Sequence, residues 1–483
     1  MNPRRWIVPG TIAMIVALAW AWRPAAGREQ DILPGRTRPL LQANWPLPRD
    51  LKFAANTFQP PDAKSALVTT PEGVRAFIVS APDDPVVRIT AAIPLGRALE
   101  QAGEAGASEL ASRVLTQNVR DRLGRTFVGR VQVDQEVDAT RVSLQVLPDD
   151  WKQGLQALVD ALRQTSFEGA AATFKTGTGY AAQTRGLGGP AFRPSVELVR
   201  LVSTYPLAPP DPAQSVRPEA LVSLASRSLR PEAVVLSIGG GVARADAARE
   251  LQSLTNGWRA AASQTPSSPV TSQSKTPAER VKLIDQPGYT TWLAVGHALP
   301  KIAPADEAAV AVMTDILNIR LNIAVREIRG LANGISLQVP ATTRQEGLLQ
   351  VRSGARPESI APIVHYALEE LTRIRTDAGS PSSDELEEVK GGLILSKWQG
   401  SLDGARDASA TYALETMRYG SVDRLMAWPT AVRAVTAADV KRVATTYLHP
   451  DRMVTVIIGQ LDAVRKARHP RWPMALEDVG GRK

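Results

Sequence analysis

Two copies of one local sequence, far apart in the chain, constrain the fold more than any other feature. Residues 448–451 (LHPD) precede the apolar run MVTVIIG, and residues 229–232 (LRPE) precede the similar run VVLSIG. Pro231 and Pro450, which hold the same place in the two copies, are 219 residues apart (450 − 231). A repeat of about 200 residues has the length of a whole domain. The spacing therefore predicts two copies of one fold in tandem.

A change of composition separates the two copies. Residues 260–278 (AAASQTPSSPVTSQSKTPA) contain Ser, Thr, Pro and Gln with almost no large apolar side chain, which is typical of a linker. The sequence thus predicts an N-terminal domain over 64–259, a C-terminal domain over 279–465 and a basic tail over 466–483.

Strand and helix patterns mix within each copy and predict an α+β fold. The segments VVRITAAIP (86–94) and RVSLQVL (141–147) alternate as half-buried strands do, and Pro-Asp-Asp-Pro between the strands predicted at 74–79 and 86–94 favours a turn. Helical periodicity follows at 107–119 and from Trp151 onward. Without a regular β-α-β alternation, the pattern favours two homologous sandwiches, each an antiparallel sheet packed with helices.

The first residues predict export. Arg4 and Arg5 precede an apolar run from Trp6 to Trp22, and a short stretch of small residues follows the run. This order of basic, apolar and small regions predicts a signal peptide over 1–27. Pro9-Gly10 makes the run a poor permanent span, and a membrane anchor through residues 6–22 is the alternative. A Pro- and Arg-rich arm is expected over 28–63. We expect a periplasmic or secreted protein, bound to the membrane only if the signal stays uncleaved.

Composition excludes several classes of function. The chain has no cysteine, so it has no disulfide, thiolate nucleophile or thiolate metal site. Its net charge is +9, but the arginines are scattered and no nucleic-acid-binding module is recognisable. We therefore expect no nucleic-acid partner.

The helix predicted from Ala107 carries the most informative motif. Its small pair Gly106-Ala107 and the following residues resemble the zinc-binding helix of the pitrilysin/insulinase metallopeptidases, which has the inverted motif H-x-x-E-H. Laid onto this chain, the two histidines fall on Ser108 and Ser112, and the general-base glutamate falls on Ala111. The resemblance implies a LuxS/MPP-like metallopeptidase fold whose catalytic positions are degenerate, with no metal bound and zinc as the cofactor of active relatives only.

The same resemblance extends over about residues 64–462. It places the third zinc ligand at or near Gln183, which carries no charge. Residues 320–332 (RLNIAVREIRGLA) are similar to the non-catalytic domain's R-L-x-x-x-[LV]-R-E-x-x-G-L-A-Y, and Asn333 replaces the tyrosine that helps to hold substrate. Residues 381–390 (PSSDELEEVK) carry a helix start signal and are similar to the family's S-x-x-E-L-x-x-x-K helix.

Other groupings favour structural roles. His297 is expected at a strand end and His449 at a helix end, because no histidine has a second ligand one helical turn away. Glu104 and Glu109, five residues apart, are expected on a solvated face, and Gly239-Gly240-Gly241 in a strand-to-helix turn without the lysine of a phosphate loop.

Three hypotheses of function follow. The first is an inactive family member that forms a heterodimer with an active zinc peptidase, or a homodimer, and helps to enclose a chamber for unfolded peptide. The second is a zinc metalloendopeptidase with a residual or unusual site. The third is a structural scaffold in an envelope complex.

Overall fold

The computed structural model describes residues 58–478 except 125–126, 168–188, 209–215, 260–270 and 341–344. The described residues from Gln59 onward belong to one compact unit. The expected signal peptide, most of the expected arm and Gln183 lie outside the described residues, and the expected domain bounds stay a prediction.

The first half of the chain forms one sheet and its covering helices. Its elements in chain order are α1 (Ala63–Ala66), β1 (Leu67–Thr69), β2 (Arg75–Ser80), β3 (Val87–Ile93), α2 (Ala107–Leu123), β4 (Gly129–Gln135), β5 (Thr140–Val146), α3 (Trp151–Gln164), α4 (Gly189–Val202), α5 (Pro218–Ser228), β6 (Val235–Gly240) and α6 (Arg244–Thr255).

The second half forms another sheet. Its elements are β7 (Val281–Asp285), β8 (Thr291–Leu299), α7 (Glu307–Asn322), β9 (Ile335–Gln338), β10 (Gly347–Ala355), α8 (Ile360–Arg373), α9 (Ser383–Gly392), α10 (Ala405–Tyr419), α11 (Asp423–Ala434), α12 (Ala437–Tyr447), β11 (Val454–Gly459) and α13 (Leu461–Lys466). Helices α7 and α9 each continue into a π-helical segment, Ile323–Glu327 and Leu393–Gln399.

The strand order confirms the repeat. The first sheet has the order β1-β2-β6-β3-β5-β4 and the second has β7-β11-β8-β10-β9. Strand β6 pairs parallel with β2 and antiparallel with β3, and β11 pairs in the same two ways with β7 and β8. The two apolar runs that revealed the repeat therefore hold the same central place in their sheets.

The α+β class is confirmed, and each sheet is mixed rather than purely antiparallel. Strands β2 and β3 are joined by the predicted turn and run antiparallel, but they are not neighbours in the sheet, because β6 lies between them. Strand β6 follows β3 by more than 140 residues, and its insertion depends on contacts that are remote in sequence. Short-range turn chemistry cannot reveal such an insertion.

Each sheet is covered on one face by helices of its own half. On the first sheet, Ile89 and Leu144 pack with Leu115, Leu158 and Leu224 of the covering helices. On the second, Val295 and Val351 lie in a core with Ile316, Ile363 and Val443. Among the described residues, helix α7 with its flanking turns (Pro304–Glu327) is long and apolar enough to cross a membrane, but ten residues of α7 are buried inside the protein.

The opposite face of each sheet is covered by a helix of the other half. Helix α4 packs Leu198 and Val202 against Val456 and Ile458 of β11. Helix α10 covers the first sheet, where the Tyr412 ring lies 5.4 Å from that of Phe77 and its hydroxyl donates to Pro61 O at 2.6 Å. We call α4 and α10 the exchanged helices. Because both faces are covered, β6 and β11 are buried along their whole length, which explains their continuous apolar sequences.

The triple glycine lies where β6 leads into α6, as expected: Gly239 and Gly240 are the last two residues of the strand, and Gly241 begins the turn. Gly239 lies beneath α10, and a Cβ there would lie 2.3 Å from Ala405 O. Gly240 has φ of +118°, which side-chain-bearing residues rarely adopt. These two glycines let the exchanged helix approach the sheet and let the chain turn into α6.

Candidate functional site

The site that the resemblance points to lies at the start of α2. Gly106, in the left-handed region with φ of 85°, precedes the helix and offers no side chain to cap it. The cap comes instead from Glu100: one carboxylate oxygen accepts the Gly106 N–H at 3.0 Å and the other accepts the Ser108 N–H at 2.7 Å. A carboxylate at this position satisfies two free N–H groups and complements the positive end of the helix dipole.

Glu100 is fully buried, which changes its acidity. Burial raises its pKa to about 7, although the hydrogen bonds from Ser108 and Gly106 and the charge of Arg97 act in the opposite direction. The group can therefore gain or lose a proton near neutral pH. Sequence reasoning missed Glu100, since it lies outside the helix and carries no motif.

Glu104 is the second carboxylate at this end of α2. It is 5% exposed, and its oxygens accept hydrogen bonds from Arg227 of α5 at 2.9 and 2.6 Å. Although burial opposes it, the Arg227 guanidinium lowers the pKa of Glu104 below its usual range. The expectation of a solvated face is wrong for Glu104, because α5 covers it. Glu109 is half-buried and pairs with Arg113 at 2.7 Å on its own helix.

The three degenerate catalytic positions lie on the buried face of α2. Ser108 and Ala111 are 0% exposed and Ser112 is 3% exposed. Ala111 belongs to the apolar core of the first half, and Ser112 O accepts the Thr116 hydroxyl at 2.6 Å. In the described part of the chain no group of three or more His, Cys, Asp or Glu side chains could hold a metal ion. Because Gln183 lies outside that part, the loss of the zinc site stays a prediction.

Arg320, the first residue of the second motif, links two helices through hydrogen bonds. The Arg320 guanidinium donates to both carboxylate oxygens of Glu385 at 2.7 and 2.6 Å and to Gly379 O at 2.7 Å. This joins α7 to the start of α9, where the Ser382 side chain caps the helix. Asn333, the substitute for the substrate-holding tyrosine, is exposed. The resemblance identified both motifs, but it gave no sign that Arg320 and Glu385 contact each other.

The structure brings together His297 and His449, which are 152 residues apart. Their ring centroids are 5.5 Å apart, and His297 Nε2 accepts the His449 N–H at 3.2 Å. His297 Nδ1 therefore carries the proton and donates to Ala298 O at 2.8 Å. Burial lowers the pKa of both histidines. Both ring nitrogens of His297 are thus used in backbone contacts, and the expected positions at a strand end and a helix end are confirmed.

The architecture defines a class of protein with two similar mixed sheets, each closed by a helix of the other half. Residues 215–393 match the family model described as "Peptidase M16 inactive domain". This part of the chain is thus similar to the peptidase M16 family, in agreement with the resemblance to the pitrilysin/insulinase peptidases. The matched range does not include α2, so it carries no information on Ser108, Ala111 or Ser112.

Solved structures share this fold at low sequence identity. The peptidase M16 inactive domain from Pseudomonas fluorescens has a TM-score of 0.66 and 20% identity, over 84% of this chain and 98% of its own. A protease from Helicobacter pylori has a TM-score of 0.66 and 14% identity, over 81% and 98%. A chain of complex III2 from Candida albicans has a TM-score of 0.63 and 12% identity, over 82% and 96%. No curated protein sequence matches the chain significantly.

Proposed function

We propose that this protein is a catalytically inactive M16 subunit that pairs with an active zinc peptidase and forms part of the wall of a peptide-binding chamber. The observation that carries the proposal is the contrast between scaffold and site. Both sheets and both exchanged helices are complete, whereas the positions aligned with the zinc motif hold two serines and an alanine in a closed core. Such a chain can supply surface and stability to a partner, but it has no zinc-activated water of its own.

The experiment is co-purification with an active M16 peptidase from the same organism. We expect a stoichiometric complex by size exclusion with light scattering, and peptide cleavage that exceeds the activity of the active subunit alone. The inactive chain alone should contain no stoichiometric zinc and cleave no unstructured peptide. A monomer that leaves its relative's activity unchanged would contradict the pairing, and zinc-dependent cleavage by the chain alone would favour the hypothesis of a residual peptidase.

A scaffold role is the second candidate. It is favoured by the likeness to a chain of complex III2 from Candida albicans, which covers 82% of this chain. A scaffold predicts recovery of the protein in a large membrane-derived complex without added peptidase activity. Native electrophoresis of detergent extracts, with antibody to this chain, distinguishes that outcome from a dimer.

A further inference from the structure

A dense group of cations lies near the C-terminal end of the described chain. Arg465, Lys466, Arg468 and Arg471 are exposed within seven residues, and Asp462 is the acidic residue nearest to them in sequence. Exposed Arg356 is close by, because α13 packs on the short helix Pro357–Ser359 that Arg356 precedes. We call these five cations the basic surface.

The segment that carries the basic surface is held at both ends. At its start, the Leu461 N–H donates to Asp285 at 3.1 Å and Val464 is buried. At its end, the Trp472 ring meets the Tyr366 ring edge-on at 6.0 Å, and Leu476 is buried in the second core. The Arg329 guanidinium contacts both rings, 3.6 Å from the Tyr366 centroid and 5.1 Å from that of Trp472.

The cations between these anchors have little acidic neutralisation. Among the described residues, Lys466 alone of the five lies within 4 Å of a carboxylate, and its partner Asp462 is 3.6 Å away with both side chains largely exposed. Such a solvent-exposed ion pair contributes little interaction free energy. The Arg468 guanidinium donates to the backbone oxygens of Arg465 and Ala467 at 2.6 and 2.9 Å, so no carboxylate compensates its charge.

The turn that carries these cations is ordered by a histidine. His469 Nδ1 accepts the N–H groups of Arg471 and Trp472, which fixes the turn.

From this geometry we propose that the basic surface docks on an anionic phospholipid bilayer. Four exposed cations on one short, anchored segment resemble the basic clusters that bind anionic headgroups. Because the segment is already ordered by its anchors, docking costs little conformational entropy. The apolar run from Trp6 to Trp22 predicts passage through a membrane, so a bilayer is the nearest polyanionic surface. Charge complementarity therefore favours lipid, and an acidic protein is the outcome that the test must exclude.

The test is sedimentation of the exported full-length protein with vesicles of phosphatidylcholine that contain a rising fraction of phosphatidylglycerol. The test variant changes Arg465, Lys466 and Arg471 to Gln. The matched control changes Arg120, Arg122 and Arg130 to Gln; these are also exposed and without a carboxylate partner among the described residues. Both variants lose three positive charges, and thermal melts show that both still fold.

We expect affinity to rise with the phosphatidylglycerol fraction and to fall with salt. The test variant should lose affinity on the order of 100-fold, since each cation near the bilayer contributes about fivefold, whereas the control should lose less than about threefold. Equal loss in both variants, or equal binding to neutral and anionic vesicles, would overturn the proposal. Tight binding to soluble polyglutamate without binding to vesicles would assign the surface to an acidic protein instead. None of these outcomes depends on pairing with a peptidase.

Discussion

At the scale of single residues, Glu100 shows how a side chain outside any motif can define a site. Its carboxylate caps α2, and with Glu104 it places two buried carboxylates beside the helix that carries the degenerate positions. The Arg227 guanidinium donates to both carboxylate oxygens of Glu104, whereas Glu100 accepts the backbone N–H groups of Gly106 and Ser108. The two groups therefore differ in acidity because one has a bidentate cation and the other does not.

Replacing Glu100 with Gln should change how stability depends on pH. The pKa of Glu100 in the folded protein is raised from 4.5 to about 7, so the folded state binds more protons than the unfolded state between these values. This contribution to the free energy of unfolding is complete below about pH 4.5 and is lost as the pH rises through about 7, by on the order of 3 kcal/mol.

The measurement is urea unfolding of both proteins from pH 4.5 to 8. Glu100→Gln should lose the downward slope, because an amide does not titrate. Glu109→Gln, on the same helix but half-exposed, is the control and should keep the slope. Parallel profiles for Glu100→Gln and the unmodified protein would show that the buried carboxyl does not titrate in this range.

At the scale of elements, the exchanged helices bind the two halves together. Helix α10 contributes Arg418, which is 8% exposed and donates to both oxygens of Asp138 at 3.1 and 2.7 Å and to Glu136. Asp138 lies in the β4–β5 turn and is 2% exposed. Helix α4 makes the reciprocal contact, where Lys282 of β7 meets Glu197 at 2.9 Å. Apolar packing and ion pairs thus both stabilise the contact of each exchanged helix with the other half.

Arg418→Met should be strongly destabilising. Removal of the guanidinium leaves Asp138 buried without its cation, which costs about 3–5 kcal/mol. Arg88→Met is the matched control: Arg88 also contacts α10, but its partner Asp407 is 50% exposed, so its loss should cost less than about 1 kcal/mol. Denaturant midpoints at neutral pH measure both. Equal costs would mean that burial does not distinguish the two pairs.

At the scale of the whole molecule, the repeat and the exchanged helices have opposite consequences for the independence of the two halves. Two copies of one fold would allow two independent domains, but each sheet takes the helix on one of its faces from the other copy. Without that helix, each sheet would expose apolar side chains on one face. In the second sheet these include Ile458 of the central strand β11, and in the first they include Phe77 of β2, which neighbours the central strand β6. The described residues from Gln59 onward accordingly belong to one compact unit.

Fragments cut in the linker should fold only together. We expect residues 59–259 and 271–478, each produced alone, to be aggregated or loosely packed, and to form one cooperatively unfolding complex when mixed. Circular dichroism melts and size exclusion measure this. If either fragment unfolded cooperatively as a monomer, the exchanged helices would be dispensable and the halves would be independent domains.

The sequence by itself determined several of the elements, the repeat and the resemblance to a known fold. Periodicity placed α2, β5 and α3 within a few residues, and the repeated segments that begin at 229 and 448 revealed the duplicated fold. Both signals depend on local propensity and on burial of both strand faces, which neighbouring residues in the sequence express. Only the tertiary structure decided that β6 separates β2 from β3, that α4 and α10 cross between halves, and that Glu100 caps α2. These features join residues through space, from six residues apart for Glu100 to several hundred for α10. Their energies depend on burial and on which partner is reached, which no local pattern specifies.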